Sequence, residues 1–428
     1  MERHSHPFPL QRTFFSAMRR KTRVAIPSSL GFISFILTIL SISLQNFRVV
    51  VLFAFSLIVC ILSLLKPLRE WRRDVDDLEL KQVELGDLTD LALDGDYITS
   101  GYEIVPRGRD RLDVLLTSRE VNSRLWTEVT APIEINQDTF RSLVEPPMFY
   151  VLMKQFTDGR KSVLFNGSKV RLMKDLRLNR ARLCNVEVQR TRYFEGLVTN
   201  ESFASELSLR SRPRQEPVFN GRVQNFPKST VPTCDNSASS NQIGVSTLAI
   251  TQDFRLVILQ QGEGNVVSAG LASPSGSGSA DWHDVRGCQN FNDLIRTAAL
   301  RELREECGLK SRDIERFKIL GYGRLLQRGG IPEFYCLAKL SCDLKNLVIV
   351  RAERKLINRH SAETIDVQRN SIGQAISEVT QKLLRDSDVP LSASLWWNLW
   401  MLNQVSVENL DEFFLDDDPE IPHVSIGI

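Results

Sequence analysis

Glu302, Glu305 and Glu306, with Arg301 beside them, are the residues of this chain best placed by type and spacing to do chemistry. On a helix, positions i, i+3 and i+4 share a face, so three carboxylates there converge. Like charges held together repel unless something cationic sits among them. A hard divalent ion with oxygen ligands, Mg²⁺ or Mn²⁺, carrying a bound diphosphate, is the natural partner. The local sequence favours the helix: Leu294, Ala298, Leu300 and Leu303 recur amid charges, and Gly308 is a natural stop. An ordinary exposed helix with i,i+4 charge pairs is the bland alternative.

Gly287 is followed by five residues and Asp293, then by seven residues and the run Arg301-Glu302-Leu303-Arg304-Glu305-Glu306-Cys307-Gly308-Leu309. This spacing resembles the Nudix box, GX5EX7REUXEEXGU, at every signature position except that Asp293 stands where the family has glutamate. The resemblance implies a loop-helix-loop within an α/β/α sandwich. It implies a metal, Mg or Mn, held by the Gly287 carbonyl and by Glu302, Glu305 and Glu306. Glu302, Glu305 and Arg301 would be catalytic, Arg301 by orienting a carboxylate, and Gly287 and Arg301 would line the cofactor site. Asp293 is one methylene short at a contact that is structural in the family.

Elements that could hold such a helix surround it. ILGYGRLL and EFYCLAKL flank the Gln327–Gly330 turn and read as a hairpin, and VSTLAITQDFRLVILQQ reads as two further strands. Glu333, in the hairpin, is a candidate for the extra carboxylate that the family often draws from this region. SIGQAISEVTQKLLRDSD and LSASLWWNLWMLNQV are helical in period, and Trp396, Trp397, Trp400 and Met401 suit a core or a subunit contact. These segments define a C-terminal Nudix domain over 241–405, followed by an acidic tail over 406–428.

Upstream, short alternating pieces over 101–240 predict a β-rich or mixed region. It contains a basic stretch, Arg171, Lys174, Arg177, Arg180, Arg182, Arg190 and Arg192, by default a solvated face and otherwise one that meets lipid phosphates or a nucleotide. Residues 212–242, rich in Pro, Ser and Asn, predict a linker or long loop and a domain boundary near 240.

The N terminus predicts a membrane anchor. After a basic stretch over 1–23, residues 24–44 carry no charge and are long enough to span a hydrocarbon core of about 30 Å. Residues 49–65, at the short end, are flanked by Arg48 and Lys66, which can snorkel. Together, 24–65 predict a transmembrane α-hairpin, with a charged helical connector over 66–100. Arg19, Arg20, Lys21 and Arg23 before it, and Lys66, Arg69, Arg72 and Arg73 after it, place both termini in the cytoplasm. A net charge of only +2 gives no support to a nucleic-acid polymer as partner. The 7 cysteines have no CxxC pair or zinc spacing and read as reduced thiols.

The fold class expected is thus α/β, with an N-terminal transmembrane hairpin, a middle region and a C-terminal Nudix sandwich. That arrangement resembles the two-helix membrane Nudix proteins of bacterial cyclic-oligonucleotide anti-phage systems (CBASS). The resemblance implies an inner-membrane homo-oligomer whose partners are a cyclic nucleotide and the lipid bilayer, the hairpin compromising the membrane once the nucleotide binds. The alternative is a metal-dependent Nudix hydrolase of nucleoside diphosphate derivatives.

Overall fold

The computed structural model describes residues 47–158, 164–180, 182–213, 215–261, 270–347, 357–367, 371–386 and 390–415; for 47–53 and 357–361 it describes backbone alone. These residues form two compact units.

The first unit comprises the described residues up to Val83, with Leu143–Asn166 and Ala204–Asn220. Its long helix runs over Phe47–Asp76 without stopping at Pro67. A strand, Leu78–Gln82, then pairs antiparallel with Ser205–Leu209, from Leu78↔Leu209 to Gln82↔Ser205. The helix Pro146–Thr157 begins on two prolines, whose missing N–H groups cost nothing in a first turn. Its Tyr150 meets Trp71 edge to face at 5.1 Å, and its Gln155 accepts hydrogen bonds from Gln82 (2.7 Å) and Ser205 (3.0 Å). The connector expected as a helix over 66–100 is therefore helical to Asp76 and again only in the short helix Gly95–Thr99. Beyond Asp76, the alternation of Leu78 and Leu80 finds a strand partner supplied from far along the chain.

The transmembrane hairpin is not found among the described residues. Residues 24–44, its first arm, lie outside them. Residues 49–65, the second arm, fall on the helix Phe47–Asp76, but side chains are described only from Ala54. Among the described residues no helix is long and apolar enough to cross a membrane. What this stretch does show is exposure: Phe55, Ile58 and Leu62 are 65%, 54% and 58% exposed.

The second unit carries the candidate site. In chain order its main elements are β1 (Glu103–Arg107), β2 (Asp110–Thr117), α1 (Arg119–Trp126), β3 (Ile133–Thr139), β4 (Ser168–Leu172), β5 (Val186–Arg192) and α2 (Tyr193–Thr199). There follow β6 (Gly244–Ile250), β7 (Arg255–Gln261), β8 (Ala272–Ser273), β9 (Gly276–Ser279), α3 (Phe291–Cys307), β10 (Ile314–Leu325) and β11 (Ile331–Leu340). The last are β12 (Ile357–Thr364), α4 (Ile372–Asp386), α5 (Ala393–Leu402) and α6 (Val407–Leu415).

A mixed sheet in the order β8-β7-β6-β11-β10-β2-β1, with β9 on β6 and β12 on β7, forms the centre. The expected hairpin is β10–β11, turning through Gly329 and Gly330, both at positive φ. Alternation along β11 makes two layers. Phe334, Cys336 and Ala338 face Leu294, Ala298 and Leu303 of α3, while Tyr335 and Leu337 face Trp397 of α5, Ile376 of α4 and Phe413 of α6. Helices therefore cover both faces of the sheet, as an α/β/α sandwich requires. Trp397 is fully buried there, so of the two uses foreseen for the tryptophans it takes the core.

Two segments ahead of residue 240 belong to this same unit. β2 pairs with β10 at Gly323↔Thr117, Arg324↔Leu116 and Leu325↔Leu115, and β1 then pairs with β2. β4 lies beside the chain on either side of β6: Val170 donates to Ala280 (3.0 Å), Ile243 to Val170 (3.0 Å) and Leu172 to Asn241 (3.0 Å). The latter part of the stretch expected as a linker or long loop is enclosed, with Val231, Thr233, Cys234, Ser239 and Ser240 fully buried. Its small polar side chains and carbonyls are what make burial tolerable, because they satisfy one another and Arg171.

Candidate active site

The site is built on α3 and on the loop before it. Asn290 caps α3 by accepting from Asp293 N (3.0 Å), and Asp293 accepts in return from Gln289 N (3.0 Å). Asp293 thus sits in the first turn of the helix and reaches back to the backbone ahead of the Asn290 cap. At the other end Gly308 takes the left-handed conformation (φ +66°) that favours glycine. Gly287, also left-handed at φ +80°, ends the turn ahead of the helix.

Arg301 organises the carboxylates. Its Nε and Nη2 donate to Asp284 at 3.1 and 3.0 Å, and Nη2 also to the Ser279 carbonyl at 3.1 Å. Its Nη1 donates to Glu302 at 2.8 Å and to Glu305 at 3.5 Å. Asp281 lies 3.8 Å from Nη2. Burial works against the guanidinium's charge, but Asp284 and Glu302 outweigh it and raise its pKa. Of the residues foreseen, Arg301, Glu302 and Glu305 are therefore brought together. Glu306, on the same helix, accepts from Ser277 N of β9 at 3.1 Å.

Glu302 is nearly enclosed, and burial pushes its carboxyl up to about 7; Arg301 and Lys169 oppose that shift and Glu305 adds to it. It lies against Gly278 of β9, where a Cβ would come within 2.2 Å of its carboxyl carbon. Glu305, by contrast, is half exposed.

Among the described residues no three His, Cys, Asp or Glu side chains are already arranged to hold a metal ion. The donor chemistry nevertheless suits a hard cation: Glu302, Glu305 and Glu306 offer three carboxylates from one helix, while Asp284 and Asp281 lie on the far edge of Arg301 and serve the guanidinium instead.

Sequence reasoning missed Asp281, Asp284 and Lys169. The two aspartates lie in a polar loop at no motif spacing, and Lys169 comes from β4 with nothing local to mark it. Three of the seven residues in the basic stretch are spent on internal partners. Arg171 is buried against the Ser237 and Ser239 carbonyls and 4.6 Å from the Phe140 ring, Lys174 pairs with Glu187, and Arg177 pairs with Asp96 and Asp235. Arg190 stands 5.8 Å from the ring of Trp282, in the loop that carries Asp281 and Asp284.

Glu333 is on the other face of the sheet. It is buried under α5 and above Gly244, whose Cβ would strike it. Burial pushes its carboxyl up to about 7, against the pull of Arg328 and of hydrogen bonds from Ser246 and Ser394. The period-two alternation of β11 forbids it from joining the α3 carboxylates, which corrects its expected place in the site.

No protein-family model matches the sequence, and no curated protein matches it. Solved structures similar to it include Nudix hydrolases. A MutT Nudix hydrolase from Burkholderia pseudomallei is 16% identical, with 39% of this chain and 98% of that one covered and a TM-score of 0.25. A Nudix hydrolase from Alicyclobacillus acidocaldarius is 10% identical, with 38% and 91% covered and a TM-score of 0.28. A MutT protein from Methanosarcina mazei Go1 is 13% identical, with 38% and 92% covered and a TM-score of 0.24. Likenesses at those scores carry no argument; the geometry on α3 has to.

Proposed function

We propose that this chain is a divalent-metal-dependent hydrolase of the Nudix type, acting on a nucleoside diphosphate derivative. The observation that carries the reading is the Arg301 guanidinium holding Glu302 and Glu305 on one face of α3. A carboxylate fixed in that way is what a metal-bound diphosphate requires, whereas an ordinary exposed helix would leave its charges in water. Glu302, Glu305 and Glu306, with the Gly287 carbonyl, would hold Mg²⁺ or Mn²⁺, and the ion when bound would neutralise and polarise the diphosphate. Arg301 orients the carboxylates.

The test is chromatography of a panel containing ADP-ribose, NAD, nucleoside triphosphates and cyclic di- and trinucleotides. Each is incubated with Mg²⁺ and the full-length protein in detergent, with Glu305→Gln as control. Metal-dependent loss of one compound, abolished in the variant, is the expected result. Survival of every compound overturns the reading.

A second reading, a cyclic-nucleotide-gated membrane effector of an anti-phage system, is favoured by the exposed apolar side chains of Phe55, Ile58 and Leu62 ahead of Lys66, Arg69, Arg72 and Arg73. On this reading the chain is a homo-oligomer in the bacterial inner membrane, with both termini cytoplasmic. Dye release from phosphatidylethanolamine/phosphatidylglycerol vesicles that depends on one cyclic nucleotide would support it. Intact vesicles with every nucleotide in the panel would exclude it.

A further inference from the structure

Lys169 belongs to β4, far ahead of the box, yet its Nζ donates to Asp281 at 2.5 Å and its side chain is only 16% exposed. The strand's register dictates this position, because Lys169 and Asp281 form a β-bridge and Val170 donates to Ala280. Asp281 in turn stands 3.8 Å from Arg301 Nη2. A line of alternating charge therefore runs Lys169, Asp281, Arg301, and ends on Glu302 and Glu305.

A guanidinium is a rigid planar fork, so it cannot serve a new partner on one edge without moving the other. The Nη2 edge of Arg301 already serves Asp284 and the Ser279 carbonyl. If Asp281 lost Lys169, its carboxylate would be left in a largely enclosed loop with Arg301 as the nearby cation. Drawing Arg301 toward Asp281 would pull Nη1 off Glu302 and Glu305.

We infer that Lys169 is a positioning residue of the candidate active site: by binding Asp281 it keeps Arg301 directed at Glu302 and Glu305. The inference rests on the hydrolase reading. It assigns the segment before residue 240 a part in the site that the box itself does not contain.

The test compares full-length wild-type protein with Lys169→Met, Lys169→Arg and the double variant Lys169→Met/Asp281→Asn. Steady-state kinetics use ADP-ribose, or whichever panel compound is consumed, and Mn²⁺ binding is followed by electron paramagnetic resonance, which needs no turnover. Lys169→Met should lower kcat about 10- to 100-fold with KM within about twofold, and weaken Mn²⁺ about threefold or more. Lys169→Arg and the double variant, in which Asp281 no longer competes, should return both readouts to within about threefold of wild type. Equal losses in Lys169→Met and the double variant overturn the inference. So does a change in KM alone, which would make Lys169 a substrate contact, or wild-type behaviour in Lys169→Met. If wild-type protein consumes no compound, the hydrolase reading fails, and the same Mn²⁺ comparison decides the role of Lys169.

Discussion

Glu302 rests on Gly278: a Cβ added at that glycine would stand 2.2 Å from the Glu302 carboxyl carbon. The atom in the way is the tip of a flexible side chain, so Gly278→Ala should fold and melt within a few degrees of wild type. With Glu302 displaced from Arg301, its turnover should fall about 10- to 100-fold. Gly276, two residues earlier on β9, faces backbone instead, with Leu303 Cα 2.5 Å from its added Cβ. Gly276→Ala should therefore lose about 2–4 kcal/mol of stability, since neither β9 nor α3 can give way cheaply. Thermal melts beside initial rates separate the two; a Gly278→Ala protein as active as wild type would deny Glu302 its role.

Asn290 and Asp293 are helix-end residues. Asn290→Ala and Asp293→Ala should each lower stability by about 1 kcal/mol through loss of a cap. Turnover by the folded fraction should change less than about threefold. Urea unfolding and rates at saturating substrate measure both. A large drop in kcat for Asp293→Ala, with stability unchanged, would make the aspartate a participant in the chemistry.

Glu333 gives stability a pH dependence. Its folded pKa of about 7 lies above the ordinary 4.5. Between those values the folded state binds more protons than the unfolded one, so the protonated acid stabilises the fold at low pH, and that contribution is lost as pH rises from about 4.5 through 7. The loss amounts to about 1.4 kcal/mol for each pH unit of difference, a few kcal/mol in all. Glu333→Gln should flatten that slope in melts taken from pH 5 to 8, while leaving the α3 carboxylates alone. An unchanged slope would mean that Glu333 is ionised throughout.

Arg324 and Asp175 are both enclosed, 3.9 Å apart, and each has polar partners of its own: Tyr322 donates to Asp175 at 2.8 Å, and Arg324 donates to the Pro232 carbonyl at 2.6 Å. Removing one partner leaves the other charge buried without its counterpart, so Arg324→Met should cost about 3–5 kcal/mol. Tyr322→Phe, which removes one hydrogen bond and leaves the charges paired, should cost about 1–2 kcal/mol. Denaturant midpoints for the two variants, compared with wild type, test the ranking.

The box residues were legible because their spacing is set by one helix, and a helix is local. Gly308 as a stop, the convergence of Glu302 and Glu305, and the β10–β11 hairpin all depend on neighbours within a few turns of chain. Asp281, Asp284 and Lys169 were not legible, since what unites them is the β4 register against a loop more than a hundred residues later. The burial of the latter part of 212–242 was not legible for a related reason: serine, asparagine and proline mark loops, and nothing in their order says that Arg171 will need their carbonyls. The face that Glu333 takes was not legible either, because the phase of a strand follows from its packing partners, not from its composition.

The pairing of β2 with β10 has a consequence for the making of the protein. Thr117 waits for Gly323, 206 residues later, before that edge of the sheet can close. At about 5–20 residues per second, a ribosome needs roughly 10–40 s to deliver the partner strand. Throughout that interval β2 has only β1 beside it, with Leu115 and Leu116 and a row of backbone hydrogen-bonding groups open to other chains. A newborn chain of this kind depends on being shielded until its second half arrives, and its yield in a cell should be limited by that delay rather than by the stability of the finished fold.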